Sequence, residues 1–161
     1  MSSAVAEEIV NEPVMQLVTF RLDDETYGIN VMHVQEVLRV SEIAPVPGSE
    51  SWVLGIINLR GNVVTVIDTR LRFGLPMAET SDSSRIVIID ANAQAMGILV
   101  DSVAEVVELP ESELDTAPAV SNDDASRYIL GVASREEDLL IVVDVNKMLD
   151  ENPAGGGDAL F

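Results

Sequence analysis

Residues 17–38, LVTFRLDDETYGINVMHVQEVL, return sixty-nine positions later as IVIIDANAQAMGILVDSVAEVV (86–107), with Gly28 over Gly97 and Glu36 over Glu105. A second block, VLGIINLRGNVVTVID (53–68), returns at an offset of 76 as ILGVASREEDLLIVVD (129–144), with Gly55 over Gly131 and Asp68 over Asp144. Between the blocks Ala44-Pro45 matches Ala117-Pro118 at an offset of 73. Two blocks in the same order make this an internal duplication, and the drifting offset reflects insertions in loops. Two copies exclude a long solenoid.

Each copy has the same order of elements. A strand (17–22; 86–91), a polar turn and a second strand (26–31; 95–100) form a hairpin. A third segment (34–40; 103–109) leads into a connection containing proline, and a second hairpin (53–67; 129–143) closes the unit. Val and Ile dominate these runs, as β-branched residues do on a pleated surface. Five short strands per copy predict a mainly β protein of two packed five-stranded barrels, which leave few exposed edges. The first barrel copy is expected over about 14–80 and the second over about 81–150, with strand exchange between them left open. Asp68 and Asp144 each precede a short helical stretch and suit its N-cap. Residues 1–13 and 151–161 read as flexible tails.

The 161 residues carry no cysteine, which excludes disulfides and thiolate metal sites. No run approaches the roughly 18 apolar residues of a membrane span. The acidic start, MSSAVAEEIVNEP, lacks the basic region of a secretory signal, so a cytoplasmic protein without direct membrane insertion is expected. A net charge of −19 argues against nucleic acid as partner. The charge is uneven: residues 15–80 carry a net −3 and residues 81–150 a net −11.

The duplication supplies an internal control for function. What both copies keep is explained by the shared fold; what one copy alone carries needs another reason. Asp68 and Asp144 are explained by capping, and the lone His33 has no nucleophile or metal-ligand set around it. No phosphate-cradling glycine loop is present and no cofactor is expected. Gly28, Gly55, Gly97 and Gly131 mark bulges or close backbone approach. Glu36 has a counterpart in Glu105, the pattern of an edge-blocking carboxylate. Arg60 has none: NLRG at 58–61 stands opposite SREE at 134–137. An arginine at a hairpin tip is either a soluble cap or a contact residue.

ETYGINVMHVQEVL, EIAPVP, VLGIINLRGNVVTVIDTRLRFG, GILVDSVAEVV and LLIVVDVNKML, in this order from about Met15 to Leu149, resemble the CheW family of bacterial chemotaxis coupling proteins. The resemblance implies two packed SH3-like barrels and a non-enzymatic adaptor, monomeric when free, that joins methyl-accepting chemotaxis receptors to the histidine kinase CheA. It places receptor contacts at Val34, Glu36, Arg60 and Val106. Kinase contacts are expected around Ile43, Val46, Leu54 and Gly55. The segment with Leu114, Asp115 and Val120 resembles the region that closes rings of alternating kinase and adaptor domains. Thr65 replaces the proline of many relatives, and Asp115 the basic residue of some. The readings from other classes are a CheW-like scaffold of another chemosensory pathway, such as surface motility, a small hydrolase using the two aspartates, and a small-ligand-binding β-barrel protein.

Overall fold

The computed structural model describes residues 13–116, 128–135 and 138–149. Ten strands follow in chain order: β1 (Val14–Leu22), β2 (Glu25–Asn30), β3 (Val34–Arg39), β4 (Val53–Leu59), β5 (Asn62–Asp68), β6 (Arg85–Ala91), β7 (Gln94–Val100), β8 (Ser102–Pro110), β9 (Ile129–Arg135) and β10 (Asp138–Val143). Helix α1 (Thr69–Arg72) follows β5 and helix α2 (Val145–Met148) follows β10. Both start on the expected caps: the Asp68 carboxylate accepts from the Leu71 amide and that of Asp144 from the Lys147 amide. The chain is thus mainly β, in two five-stranded sheets.

Each sheet takes strands from both copies. The first has the order β8-β1-β2-β10-β9 and the second β3-β6-β7-β5-β4. The first hairpin of each copy has crossed into the sheet built on the other copy's later strands. It is fixed there by a parallel pairing, β2 with β10 in the first sheet and β5 with β7 in the second. Isolated bridges close both sheets into barrels: Ala44 pairs with Ile56 and Asp115 with Val132. The closures are equivalent, so Asp115 stands where Ala44 stands, an offset of 71; the expected partner of Ala44, Ala117, lies outside the described residues.

Gly55 and Gly131 explain why the closures need glycine. A Cβ on Gly55, whose φ is +153°, would lie 2.1 Å from the Ala44 carbonyl oxygen; one on Gly131 would lie 2.5 Å from that of Asp115. Both sit beside register shifts in their hairpins. A Cβ on Gly97 would lie 2.9 Å from the Ile86 side chain, whereas one on Gly28 would make only ordinary contacts at 3.4 Å.

The period of two in β1 and β6 divides the core. Leu17 points into the first barrel with Leu109 and Val142, and its counterpart Ile86 into the second with Ile57 and Val66. Val18, Phe20 and Leu22, with Val87, Ile89 and Ala91, face a third cluster that both barrels share. An aromatic row crosses this seam: Phe20 to Tyr27 (5.7 Å), Tyr27 to Phe73 (5.3 Å) and Phe73 to Tyr128 (5.9 Å between centroids). Burial beside Glu25 pushes the Tyr27 hydroxyl well above its usual range.

Candidate docking surfaces

Arg60 occupies the first central position of a two-residue turn between Leu59 and Asn62. Its φ is +53° and that of Gly61 +88°, the left-handed pair of a type I′ turn. Asn and Gly adopt that conformation readily, and a long L side chain does so at a cost of about 1 kcal/mol or more. The turn is steadied by the Asn58 side chain, which accepts from the Gly61 amide (2.9 Å). Turn geometry alone therefore does not select arginine here.

The guanidinium is nonetheless not unpartnered. It makes a two-point ion pair with Glu36, whose strand β3 carries a register shift between Val34 and Glu36. The pair holds the Glu36 carboxyl below the usual carboxylate range and raises Arg60 further. Arg60 remains 69% exposed and Glu36 27%. Val34 is half-buried against the shared seam. Three of the four expected receptor contacts thus lie together on the second barrel. The fourth, Val106, lies on β8 of the first barrel and is 57% exposed; its counterpart Val37 on β3 is also exposed.

The counterpart of Glu36 behaves differently. Glu105 has no ion pair among the described residues; its backbone is bound on both sides by the Thr19 hydroxyl, which donates to the carbonyl (2.8 Å) and accepts from the amide (3.1 Å). That bracket spans the register shift between β1 and β8.

The expected kinase contacts gather at the closure of the second barrel. Ile43 and Leu54 pack on its interior cluster, Gly55 lies beneath Ala44 and Val46 is exposed. A shallow cleft of about 500 Å³ runs beside them, lined by Ile43, Ala44, Ile56 and Val63. Leu114 and Asp115 occupy the equivalent closure of the first barrel, Leu114 against its interior cluster and Asp115 exposed. Val120 lies outside the described residues.

Several polar groups that the sequence did not single out hold the barrels together. Arg70 of α1 grips Asp101 at two points (2.9 and 2.6 Å), and Asp101 also accepts from the Asp23 amide (2.8 Å). At the equivalent place Asn146 accepts from the Asn92 amide (3.0 Å), and the Asn92 side chain donates to the Asn146 carbonyl (3.2 Å). Arg72 stacks over Trp52 (4.2 Å) and donates to the Met148 carbonyl (2.9 Å), tying α1 to α2. Within the second barrel, the lone His33 bonds the Asp90 carbonyl of β6 through Nδ1 (3.0 Å). Arg70 and Asp101 also occur in one copy only, so that signal finds structural residues as well as exposed ones.

Comparison with known proteins agrees with this geometry. Residues 16–152 match the model of the CheW-like domain. A chemotaxis protein CheW of Treponema pallidum is 34% identical over 143 residues, covering 86% of this chain and 84% of that one. The CheW of Bacillus subtilis is 35% identical over 136 residues, covering 84% and 87%. The crystal structure of the scaffolding protein TtCheW from Thermoanaerobacter tengcongensis superposes with a TM-score of 0.80 at 31% identity, covering 87% of this chain and 95% of that one. Two strand-sharing barrels built from a duplicated sequence, matched over nearly all their length, place the chain in the CheW-like domain family.

Proposed function

We propose that this protein is a non-catalytic adaptor of a bacterial chemotaxis system, coupling methyl-accepting receptors to the histidine kinase CheA at membrane-associated arrays. The observation that carries the receptor side is the Arg60–Glu36 pair. It sets a strained arginine on an exposed tip, and the second copy has no arginine-glycine tip of this kind. The pair forms a polar edge next to Val34, with Val106 as an exposed apolar contact on the other barrel. An apolar helical receptor tip with polar edges would cover the valines and bond the guanidinium.

Kinase docking belongs, in this reading, to Ile43, Val46, Leu54 and Gly55, and ring contacts to Leu114, Asp115 and the Val120 segment. The equivalence of the two barrel closures supports it: one kind of surface occurs twice, with different side chains. A hydrolase would need Asp68 and Asp144 free, and both carboxylates cap helices.

Arg60→Ala, measured against a receptor signalling fragment and the kinase regulatory domain side by side, tests the assignment. Receptor affinity should fall roughly thirtyfold, the loss of about 2 kcal/mol usual for an interface hot spot. Kinase-domain affinity and melting temperature should stay. The charge swap Arg60→Glu with Glu36→Arg restores the internal pair but not a partner's view of the arginine. Receptor affinity fully recovered by the swap would mean that the pair acts only within the fold.

A further inference from the structure

Two equivalent faces flank the seam, and one of them sets like charges opposite each other. In the first barrel Val106 of β8 pairs with Val18 and Glu108 with Gln16, whose side-chain amide donates to the Glu108 carboxylate (3.4 Å). At an offset of 69 the same rows of the second barrel are Val37 with Val87 and Arg39 with Arg85. Two cations directly opposite each other in an antiparallel ladder repel. The first barrel shows that the shared fold accepts a hydrogen-bonded pair here instead. Two of only nine basic residues, in a chain with 28 acids, nevertheless stand together at this place.

Arg39 is exposed and makes no hydrogen bond or ion pair among the described residues. Arg85 is held at one corner: its Nη1 donates to the Asp82 and Ser84 carbonyls (2.8 Å each). The turn that offers these oxygens is itself fixed. The Ser81 amide donates to the Ser84 hydroxyl (2.8 Å) and the Ser83 amide to the Ser81 hydroxyl (3.2 Å). Among the described residues no carboxylate forms an ion pair with either arginine. A guanidinium anchored on backbone oxygens, with a second one opposite, is a ready seat for a carboxylate.

We propose that the face of Val37, Arg39 and Arg85 docks an acidic segment of a partner protein. Its carboxylates would meet the two arginines and an apolar side chain would meet Val37. A carboxylate shared by both guanidiniums replaces a repulsion with two charge-assisted hydrogen bonds. Val37 is 41% exposed, on the same face as Arg39 and two residues before it. Apolar surface beside the cations favours a protein segment over a free anion. The net charge of −19 repels the extended negative surfaces of membranes and nucleic acids, whereas a short segment meets mainly the arginines. None of these three residues belongs to the receptor assignment, so the inference stands apart from it.

The test uses the full-length chain and a fluorescent heptapeptide in which one leucine and two glutamates alternate with serine. The same peptide with glutamine for glutamate, inorganic phosphate and phosphatidylserine vesicles serve as comparisons. The glutamate peptide should bind saturably by about 1 mM, and Arg39→Glu, which copies the acid of the first barrel, should weaken it about tenfold. The same substitution ends the cross-strand repulsion and should raise the melting temperature by about 2 °C. Binding lost while stability is gained marks a partner's site rather than a part of the fold. No saturable binding, equal binding of the glutamine peptide, or binding indifferent to Arg39→Glu would overturn the proposal, and so would a lowered melting temperature. Phosphate that displaces the peptide at equal concentration would make the face a simple anion site, and Arg39-dependent binding to vesicles above that to peptide would give it to a membrane; either result overturns the protein partner.

Discussion

The two junctions between the barrels occupy equivalent places and are built from different chemistry. At one, Arg70, Asp101 and Asp23 form a charged clamp; at the other, Asn92 and Asn146 exchange two neutral hydrogen bonds. Asp23 and Asn92 both hold positive φ, 59° and 54°, so the turn is common to both copies and only the side chains have diverged. Duplicated geometry therefore constrains backbone more tightly than chemistry. Equivalent positions can be compared directly, each copy serving as the other's reference.

The largest expected effect breaks the comparison outright. Because each barrel is completed by the other copy's hairpin, fragments 1–80 and 81–161 should each fail to fold cooperatively, and mixing them should restore native circular dichroism. A single fragment that melts cooperatively on its own would show that a copy can house its own hairpin.

Next come the glycines. Gly55→Ala should cost about 3 kcal/mol, since its Cβ meets a backbone oxygen that cannot move without opening the barrel closure. Gly97→Ala meets a side chain that can shift and should cost about 1–2 kcal/mol; Gly28→Ala, with only ordinary contacts, should cost less than about 1 kcal/mol. Chemical denaturation of the three variants orders them, and equal costs would mean that the two copies are not packed differently.

The junctions themselves come third. Asp101 is 33% exposed, so solvent screening limits Arg70→Ala to about 1–2 kcal/mol, against about 0.5–1 kcal/mol for Asn146→Ala. Only the charged junction should depend on pH. Arg70's hydrogen bonds hold the Asp101 carboxyl below its usual range, and a depressed folded-state pKa stabilises the fold above the unfolded value near 4. That contribution is lost as pH falls through the folded value, so the gap between wild type and Arg70→Ala should narrow below about pH 4. The buried Asp68 runs the other way: burial raises its pKa and favours the fold as pH falls. A gap that stays constant to pH 2 would remove the clamp from the account.

The smallest effect concerns the hairpin tip. Arg60→Asn relieves a left-handed arginine and gives up only an exposed ion pair, so the melting temperature should hold or rise slightly, by the equivalent of about 0.5 kcal/mol. A clear fall in melting temperature would make Arg60 a part of the fold rather than of its surface.

Much of the architecture is legible in the sequence because it depends on local pattern. Period-two burial, paired glycines and aspartate caps recur in both copies, so ten strands and two short helices follow from neighbours in the chain. The choice of barrel for each hairpin is not local. It is decided at the crossovers Asn30–Val34 and Leu99–Ser102, where a few residues carry the chain from one sheet to the other, and both choices share the same hydrophobic pattern. The closures depend on long-range pairing too: loop residues answer to the bridge they make, and the bridge that Ala44 makes with Ile56 is made in the other barrel by Asp115 with Val132. Arg60 and Glu36 are both singled out by the family resemblance, but their pairing is not legible in the sequence, because they stand twenty-four residues apart and Glu36 by itself reads as an edge carboxylate.

The parallel pairing of β2 with β10 sets an order of events during synthesis. The second barrel has all its strands once Val100 has been made, whereas the first must wait for Val143. At about 5–20 residues per second that delay lasts a few seconds. In that interval the β1–β2 hairpin waits for its parallel neighbour while the barrel bearing Arg60 and Glu36 can already close. The strands translated first are the last to be housed.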